Sequence, residues 1–210
     1  MGISIGKREL LILAIAASLV LFSCVSPAQE HAIKGNEYYN QGQYDEAITE
    51  FSEAIELEPA NAGFYFSRGN VYLKKGQFQT AVADYDKAVA LDPEFAMAYN
   101  NRGLAYAGQY QFDRAIVDYS KAIELDPKLA VAYDNRGLMY RDKLEYDMAI
   151  SDFNKAIELD PMLAKAYFNR GYAYNKKGDK TQAKADLDKC IEISTDPALT
   201  KAAKELRERL

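Results

Sequence analysis

The stretch AMAYNNRGLAYAGQYQFDRAIVDYSKAIELDP, residues 96–127, recurs with changes on both sides of itself. Glycines return at a constant interval of 34 residues, at Gly35, Gly69, Gly103, Gly137 and Gly171. Prolines keep the same interval, at Pro59, Pro93, Pro127 and Pro161. A fixed period of this length is typical of stacked supersecondary units, in which each unit packs only against its neighbours. The period therefore predicts one elongated domain.

Each unit has the pattern of two amphipathic helices. In the quoted unit, Tyr99, Gly103 and Tyr106 recur at steps of three and four residues, which is the spacing of one helical face. A second helix follows, with Ala115 and Tyr119 on its apolar side. Neither helix could bury its apolar side alone, so the units must stack to form a core. The sequence predicts an all-α fold.

The recurring positions resemble those of the tetratricopeptide repeat (TPR) family. Its aromatic, Gly, Tyr, Ala, aromatic and Pro positions are occupied here by Tyr99, Gly103, Tyr106, Ala115, Tyr119 and Pro127. The resemblance covers about residues 28–197 and implies a right-handed α-solenoid of stacked antiparallel helix pairs. The expected repeats are residues 28–61, 62–95, 96–129, 130–163 and 164–197. Residues 198–210, apolar on one side and charged on the other, are expected to form a C-terminal capping helix.

Two kinds of position depart from the family pattern. His31 stands where the other four repeats have the first aromatic residue, a tyrosine. Gly42, Gly76 and Gly178 follow the first helix of their repeats, but Tyr110 and Leu144 replace this glycine in the third and fourth. We expect these two turns to be less relaxed, because a left-handed backbone is unfavourable for residues other than glycine.

The N-terminus has a different composition. Lys7 and Arg8 precede the apolar run LLILAIAASLVLF, which predicts an export signal over residues 1–23. The sequence Leu21-Phe22-Ser23-Cys24 resembles the bacterial lipobox, which implies cleavage before Cys24, lipid on its thiol and a short tether over residues 24–27. By analogy, Val25 after the cysteine favours a lipoprotein of the outer membrane that faces the periplasm. The alternatives are cleavage after Ala28, giving a soluble periplasmic or secreted protein, and an uncleaved anchor.

Composition argues against several functions. The chain carries 26 basic and 31 acidic residues without a basic cluster, which disfavours nucleic-acid binding. His31 is the only histidine and Cys24 and Cys190 are the only cysteines, so we expect no metal, no cofactor and no catalytic residue. Cys190 stands where other repeats have alanine, as at Ala122, and is interpreted as a small buried thiol.

The resemblance implies that the first helix of each repeat lines a concave face. Asn101, Asn135 and Asn169 precede three successive glycines by two residues and could hold the backbone of an extended peptide, because an amide both donates and accepts. The alternative is that these asparagines tie adjacent helices together. The expected partner-binding residues are Phe66, Asn70, Asn100, Asn101, Asn135, Phe168, Asn169 and Tyr172. The recurring arginines, such as Arg102, are interpreted as structural.

The sequence therefore predicts a non-catalytic interaction scaffold of the cell envelope, with a segment of another protein in the concave groove. The alternative is an accessory subunit of a cell-wall or polysaccharide enzyme system, whose groove faces glycan or the enzyme. Exposed aromatic residues, such as Phe66 and Tyr172, would then matter more than the asparagines.

Overall fold

A computed structural model describes residues 25–210, which form five helix pairs and one further helix. The first helices of the pairs are α1 (Pro27–Asn40), α3 (Ala62–Lys74), α5 (Ala96–Gly108), α7 (Ala130–Asp142) and α9 (Ala164–Lys177). The second helices are α2 (Tyr44–Leu57), α4 (Phe78–Leu91), α6 (Phe112–Leu125), α8 (Tyr146–Leu159) and α10 (Lys180–Ile193). The last helix is α11 (Pro197–Glu208). The expected all-α solenoid of helix pairs is confirmed, and the predicted export signal and Cys24 lie outside the described residues.

The ends of the array have strong helix-start signals. The Ser26 hydroxyl accepts a hydrogen bond from the backbone N–H of Gln29, and Pro27 occupies the first turn of α1. Helix α11 begins in the same way, since the Asp196 carboxylate accepts from the N–H of Ala198 next to Pro197. Helices α1 and α11 therefore begin at Pro27 and Pro197.

The turns within the pairs require a left-handed residue. Gly42, Gly76 and Gly178 adopt φ values of 76°, 71° and 87°. Tyr110 and Leu144 adopt φ values of 59° and 65° at the equivalent turns, as expected from the sequence. Both side chains are largely exposed, so burial does not offset the unfavourable backbone conformation.

Each pair closes around an aromatic or aliphatic side chain. A Cβ atom at Gly103 would lie 2.7 Å from the ring of Tyr119, so only glycine allows α5 to approach α6 this closely. Tyr119 is fully buried, and so are Ala115 and Ala122 beside it. Phe51, Tyr85, Phe153 and Leu187 occupy the same position in the other repeats and are also buried. The core is thus a row of repeated units along the array.

The backbone contacts define the curvature of the array. First helices of neighbouring repeats contact one another, and each second helix contacts the first helix that follows it. Among residues 25–210, no contact joins the second helices of neighbouring repeats. The first helices therefore lie on the inner, concave side and the second helices on the outer side. Side chains of the first helices that point away from the second helices line the groove.

The two ends of the array are closed in different ways. Helix α11 covers the last pair, with Leu199 and Leu206 packed against the buried cluster of Leu187, Cys190 and Ala203. At the other end, the α1 face that a preceding repeat would cover carries charged residues. Glu30 and Glu37 are exposed there, where the later repeats have the buried residues Phe64, Val71, Ala98, Ala105, Ala132, Met139, Ala166 and Ala173.

Candidate functional site

The asparagines of the first helices form hydrogen bonds from one repeat to the next. The Asn101 amide N–H donates to the Asn70 side chain at 2.8 Å, and Asn100 donates to Asn101 at 2.9 Å. One repeat further on, Asn135 donates to Asn100 at 3.0 Å. We call these side chains, with Asp134 and Asn169, the groove amide network. It consists of two hydrogen-bonded groups on the concave side, one over the second to fourth repeats and one over the fourth and fifth.

A separate set of hydrogen bonds joins the fourth and fifth repeats through a buried carboxylate. The Asn169 amide donates to Asp134 at 3.2 Å, and the Asn169 carbonyl oxygen accepts from the Arg141 guanidinium at 3.0 Å. Burial raises the pKa of Asp134, and the hydrogen bond from Asn169 together with the positive charges of Lys165 and Arg141 partly offsets this. Asp134 stands where the preceding repeat has Asn100. An ionisable carboxyl group thus lies in the wall of the groove.

Burial separates the predicted asparagines into two groups. Asn100 and Asn169 are buried, with 2% and 6% of their surface exposed, and their bonds hold adjacent first helices together. Asn70, Asn101 and Asn135 are only half-buried. A side-chain amide has two donor hydrogens and two acceptor lone pairs, and Asn101 uses one of each within the network. Asn101 is therefore held by its neighbours and is still partly exposed.

The two predicted phenylalanines are half-buried and take part in packing. The ring of Phe66 lies 4.7 Å from that of Phe95 and 6.0 Å from that of Tyr85, centroid to centroid. Phe168 packs against the cluster of Leu187, Cys190 and Ala203 under the last helix. Both rings contribute to the core as well as to the groove side of their helices.

Two cationic side chains lie close to the ring of Tyr172. The Arg141 guanidinium lies 5.4 Å from its ring centroid and the Lys176 ammonium lies 5.3 Å from it, both within cation–π distance. Arg141 also contacts Asn169 and Asp142. Sequence reasoning did not select Arg141, because its position holds Tyr39, Leu73, Ala107 and Asn175 in the other repeats. A charge at a position that is otherwise uncharged was the signal that could have identified it.

The recurring arginines form a separate row behind the groove. Arg102 donates from Nε and Nη2 to both carboxylate oxygens of Asp118 in its own repeat, at 2.8 and 2.7 Å. Its Nη1 donates to Asp86 in the preceding repeat at 2.7 Å. The same arrangement recurs at Arg68, Arg136 and Arg170. These arginines join three helices and are occupied by structural contacts.

In the first repeat, a histidine contacts the acidic residue that the arginines bind in the other repeats. His31 Nδ1 lies 2.7 Å from the Glu50 carboxylate, and Glu50 stands at the position of Asp84 and Asp118 in the next repeats. The only histidine of the chain thus faces a structural partner across its own helix pair.

Two findings on the described residues concern metal binding and thiol chemistry. Between residues 25 and 210, no group of three His, Cys, Asp or Glu side chains could hold a metal ion. Cys190 is fully buried, and burial raises the pKa of its thiol to about 11, so it is protonated at neutral pH. None of the helices in this part of the chain is long and apolar enough to cross a membrane.

Profiles of the TPR repeat match residues 35–76, 69–109 and 137–178, and profiles of the tetratricopeptide repeat match residues 96–129 and 164–197. These matches cover most of the described chain. The chain belongs to the tetratricopeptide repeat family. Each match lies on the helix pairs described above, so the concave side of this TPR array is the side formed by α1, α3, α5, α7 and α9.

Three solved structures illustrate the likeness. MamA is 28% identical with a TM-score of 0.69, over 84% of this chain and 97% of MamA. YrrB, a TPR protein with an unusual peptide-binding site, is 25% identical with a TM-score of 0.65, over 90% of this chain and 97% of YrrB. The first TPR of Spaghetti (RPAP3), bound to the HSP90 peptide SRMEEVD, is 30% identical with a TM-score of 0.54, over 55% of this chain and 91% of the other.

A shorter likeness comes from the Hsp70-Hsp90 organising protein of Plasmodium falciparum (isolate 3D7), which is 41% identical over 39 residues. This match covers 19% of the present TPR chain and 7% of the length of that protein. It concerns the repeat unit alone.

Proposed function

We propose that this TPR array is a non-catalytic scaffold that binds an extended segment of another protein in its concave groove. The groove amide network carries this proposal. Asn70, Asn101 and Asn135 are half-buried on the concave side, and hydrogen bonds between repeats fix their orientation. An amide held in this way forms hydrogen bonds to peptide backbone with little loss of side-chain freedom on binding.

The family relationship supports the same proposal. YrrB has a peptide-binding site and the first TPR of Spaghetti holds an HSP90 peptide, so related arrays bind short segments of proteins. In this chain, Tyr172 with its two neighbouring cations supplies an aromatic contact at the fifth repeat. Aromatic side chains in a pre-formed groove commonly contribute a large share of binding energy.

A site-specific cross-link tests the groove. A photo-reactive amino acid would replace Leu138, which is half-buried on the first helix α7, or Ser151, which is exposed on the outer helix α8. We expect a partner to cross-link at Leu138 and not at Ser151, and its cross-linked segment can be identified by mass spectrometry. Cross-linking at Ser151 alone would place recognition on the outer side and contradict the proposal.

A pair of substitutions then tests the amides themselves. Asn101→Ala with Asn135→Ala should lower the Leu138 cross-link at least tenfold, which corresponds to about 1.4 kcal/mol of binding free energy. Because these substitutions also remove bonds between repeats, Asn100→Ala serves as the control. It removes a buried network member that has almost no surface for a ligand. Equal loss in both variants would show that the network acts only on the fold.

We further propose that the protein acts in the bacterial cell envelope as a lipoprotein attached through Cys24. The sequence of the N-terminus supports this proposal, and α1 begins only three residues after Cys24. A Cys24→Ser variant should move from the membrane fraction and lose incorporation of labelled fatty acid. Retention of the label by this variant would contradict lipidation at Cys24, and an unlabelled soluble wild-type protein would favour simple export. A glycan enzyme as the cross-linked partner would favour the accessory-subunit alternative.

A further inference from the structure

Helix α9 is basic although the chain as a whole is acidic. It carries four basic side chains and no acidic one, whereas the net charge of the chain is −5. Arg170 and Lys177 each pair with an aspartate of a second helix. Lys165 and Lys176 are exposed and form no ion pair within residues 25–210. The fifth repeat thus presents two ammonium groups that other side chains of the described chain do not neutralise.

Both of these lysines lie on the groove side of α9. Lys165 precedes Asn169 by four residues and Lys176 follows it by seven, so the three side chains share one face of the helix. Asn169 donates to Asp134 of the preceding repeat, and the positive charge of Lys165 favours the ionised form of the same carboxyl group. The Lys176 ammonium lies 5.3 Å from the ring centroid of Tyr172. We call Lys165, Tyr172 and Lys176 the basic groove end.

The acidic groups of the neighbouring helix are already engaged. Asp134 is buried, with 5% of its surface exposed, and it accepts the Asn169 amide. Asp142 pairs with Arg141, whose guanidinium also donates to Asn169. Neither carboxylate forms an ion pair with a lysine of the basic groove end. An anion that pairs with these lysines can therefore be supplied by a bound molecule.

Two of the same positions are apolar in the two preceding repeats. At the place of Lys165 these repeats have Met97 and Val131, with 37% and 40% of their surfaces exposed. At the place of the groove tyrosine they have Leu104 and Leu138, which are half-buried. The groove side therefore changes from apolar at the third and fourth repeats to basic at the fifth.

We propose that the groove selects a protein segment that carries apolar side chains over the third and fourth repeats and acidic side chains at the basic groove end. This inference rests on the proposed function and adds the chemistry of the partner. Asp or Glu side chains would pair with Lys165 and Lys176, while apolar side chains would be buried against Met97 and Val131. Because the two ends of the groove differ, such a segment binds in one direction along the array.

Peptide selection on the full chain in a mild detergent tests this chemistry. Random peptides would be displayed on phage with their C-terminal ends joined to the coat protein, so that only side chains supply carboxylates. The same selection would use a Lys165→Gln/Lys176→Gln variant and a Lys87→Gln/Lys184→Gln control, which removes two exposed lysines of the outer helices. Circular dichroism would establish that both variants melt like the wild type. We expect the wild type and the control to enrich peptides with apolar and acidic residues in one order, and the groove variant to lose the acidic residues.

A selected peptide then measures the contribution of charge. Fluorescence anisotropy would compare this peptide, amidated at its C-terminus, with a version in which Gln replaces each Glu and Asn replaces each Asp. We expect the wild type and the control to bind the acidic version about five- to tenfold more tightly, since exposed ion pairs are individually weak. The groove variant should bind both versions equally. The difference in the wild type should vanish at about 1 M salt, where the screening length is about 3 Å.

The outcomes separate this inference from the proposed function. Peptides that cross-link at Leu138 but show no enrichment of Asp or Glu would overturn the inference and leave the groove function standing. An acidic peptide that binds the groove variant as tightly as the wild type would also overturn the inference. A chain that enriches no peptide at all would contradict both.

Discussion

Tyr85 and Tyr119 occupy the same position in consecutive repeats, but only the hydroxyl of Tyr85 has a hydrogen-bond partner. The Tyr85 hydroxyl donates to the Asn70 side chain at 2.7 Å. The Tyr119 hydroxyl is buried and unpartnered within the described chain. The difference arises from one residue, since the position of Asn70 is taken by Leu104 in the third repeat. Phe51 and Phe153 fill the same position elsewhere without any hydroxyl group.

Removing the two hydroxyls should therefore have opposite effects. We expect Tyr119→Phe to raise the free energy of unfolding by about 1 kcal/mol, because an unsatisfied buried polar group is eliminated. Tyr85→Phe should lower it by about 1 kcal/mol, because a satisfied hydrogen bond is lost. Urea denaturation followed by circular dichroism measures both. Equal changes of the same sign would contradict the assignment of the hydrogen bonds.

The arginine row predicts a strong preference for arginine over lysine. Arg136 donates to both oxygens of the buried Asp152 and to the Ser120 hydroxyl of the preceding repeat. A lysine ammonium cannot make this planar set of contacts, so Arg136→Lys should lower the free energy of unfolding by about 2–3 kcal/mol. Lys87→Ala is the control. This lysine is exposed and forms no ion pair within residues 25–210, so its loss should change the free energy of unfolding by less than about 0.5 kcal/mol.

The charged face of α1 predicts how the array ends. Glu30 and Glu37 stand where the second repeat has the buried residues Phe64 and Val71. A Glu30→Phe/Glu37→Val variant would expose an apolar face shaped to stack on a second helix, and we expect it to self-associate as its concentration rises. Light scattering after size-exclusion chromatography detects this change. Glu53→Val, on the exposed side of α2, should leave the molar mass unchanged.

Asp134 predicts a pH dependence of a definite sign. Burial raises its pKa above the ordinary value of 3.8, so the folded chain holds this proton more firmly than the unfolded chain. The contribution of Asp134 to the free energy of unfolding must then fall as pH rises from 3.8 to the raised pKa. Lys165, Arg141 and Asn169 face the carboxyl and limit the effect.

Replacing Asp134 by asparagine removes this contribution. Asp134→Asn should raise the free energy of unfolding at about pH 7 by about 1 kcal/mol, since the preceding repeat already forms the amide version of this contact through Asn100. The gain should disappear as pH falls below the ordinary carboxyl pKa. Urea midpoints measured across this range provide the test, and a stabilisation that is independent of pH would point to packing instead.

Several features of the fold and of the candidate site could be predicted from the local sequence. The strained turns at Tyr110 and Leu144 followed from the absence of the turn glycine, and the buried Cys190 followed from the alanines at its position. The position of Asn101, Asn135 and Asn169 on first helices also followed from the period. Their hydrogen-bond partners did not.

The 34-residue period determined by itself that the chain forms a solenoid of helix pairs, because each helix has an apolar side that only a neighbouring unit can bury. Tertiary structure decided which side chains meet. The sequence aligned Asn101, Asn135 and Asn169 with one another, yet they donate to Asn70, Asn100 and Asp134. Contacts between repeats depend on the offset and curvature with which the helices stack, and a periodic sequence contains the spacing of its units but not that geometry.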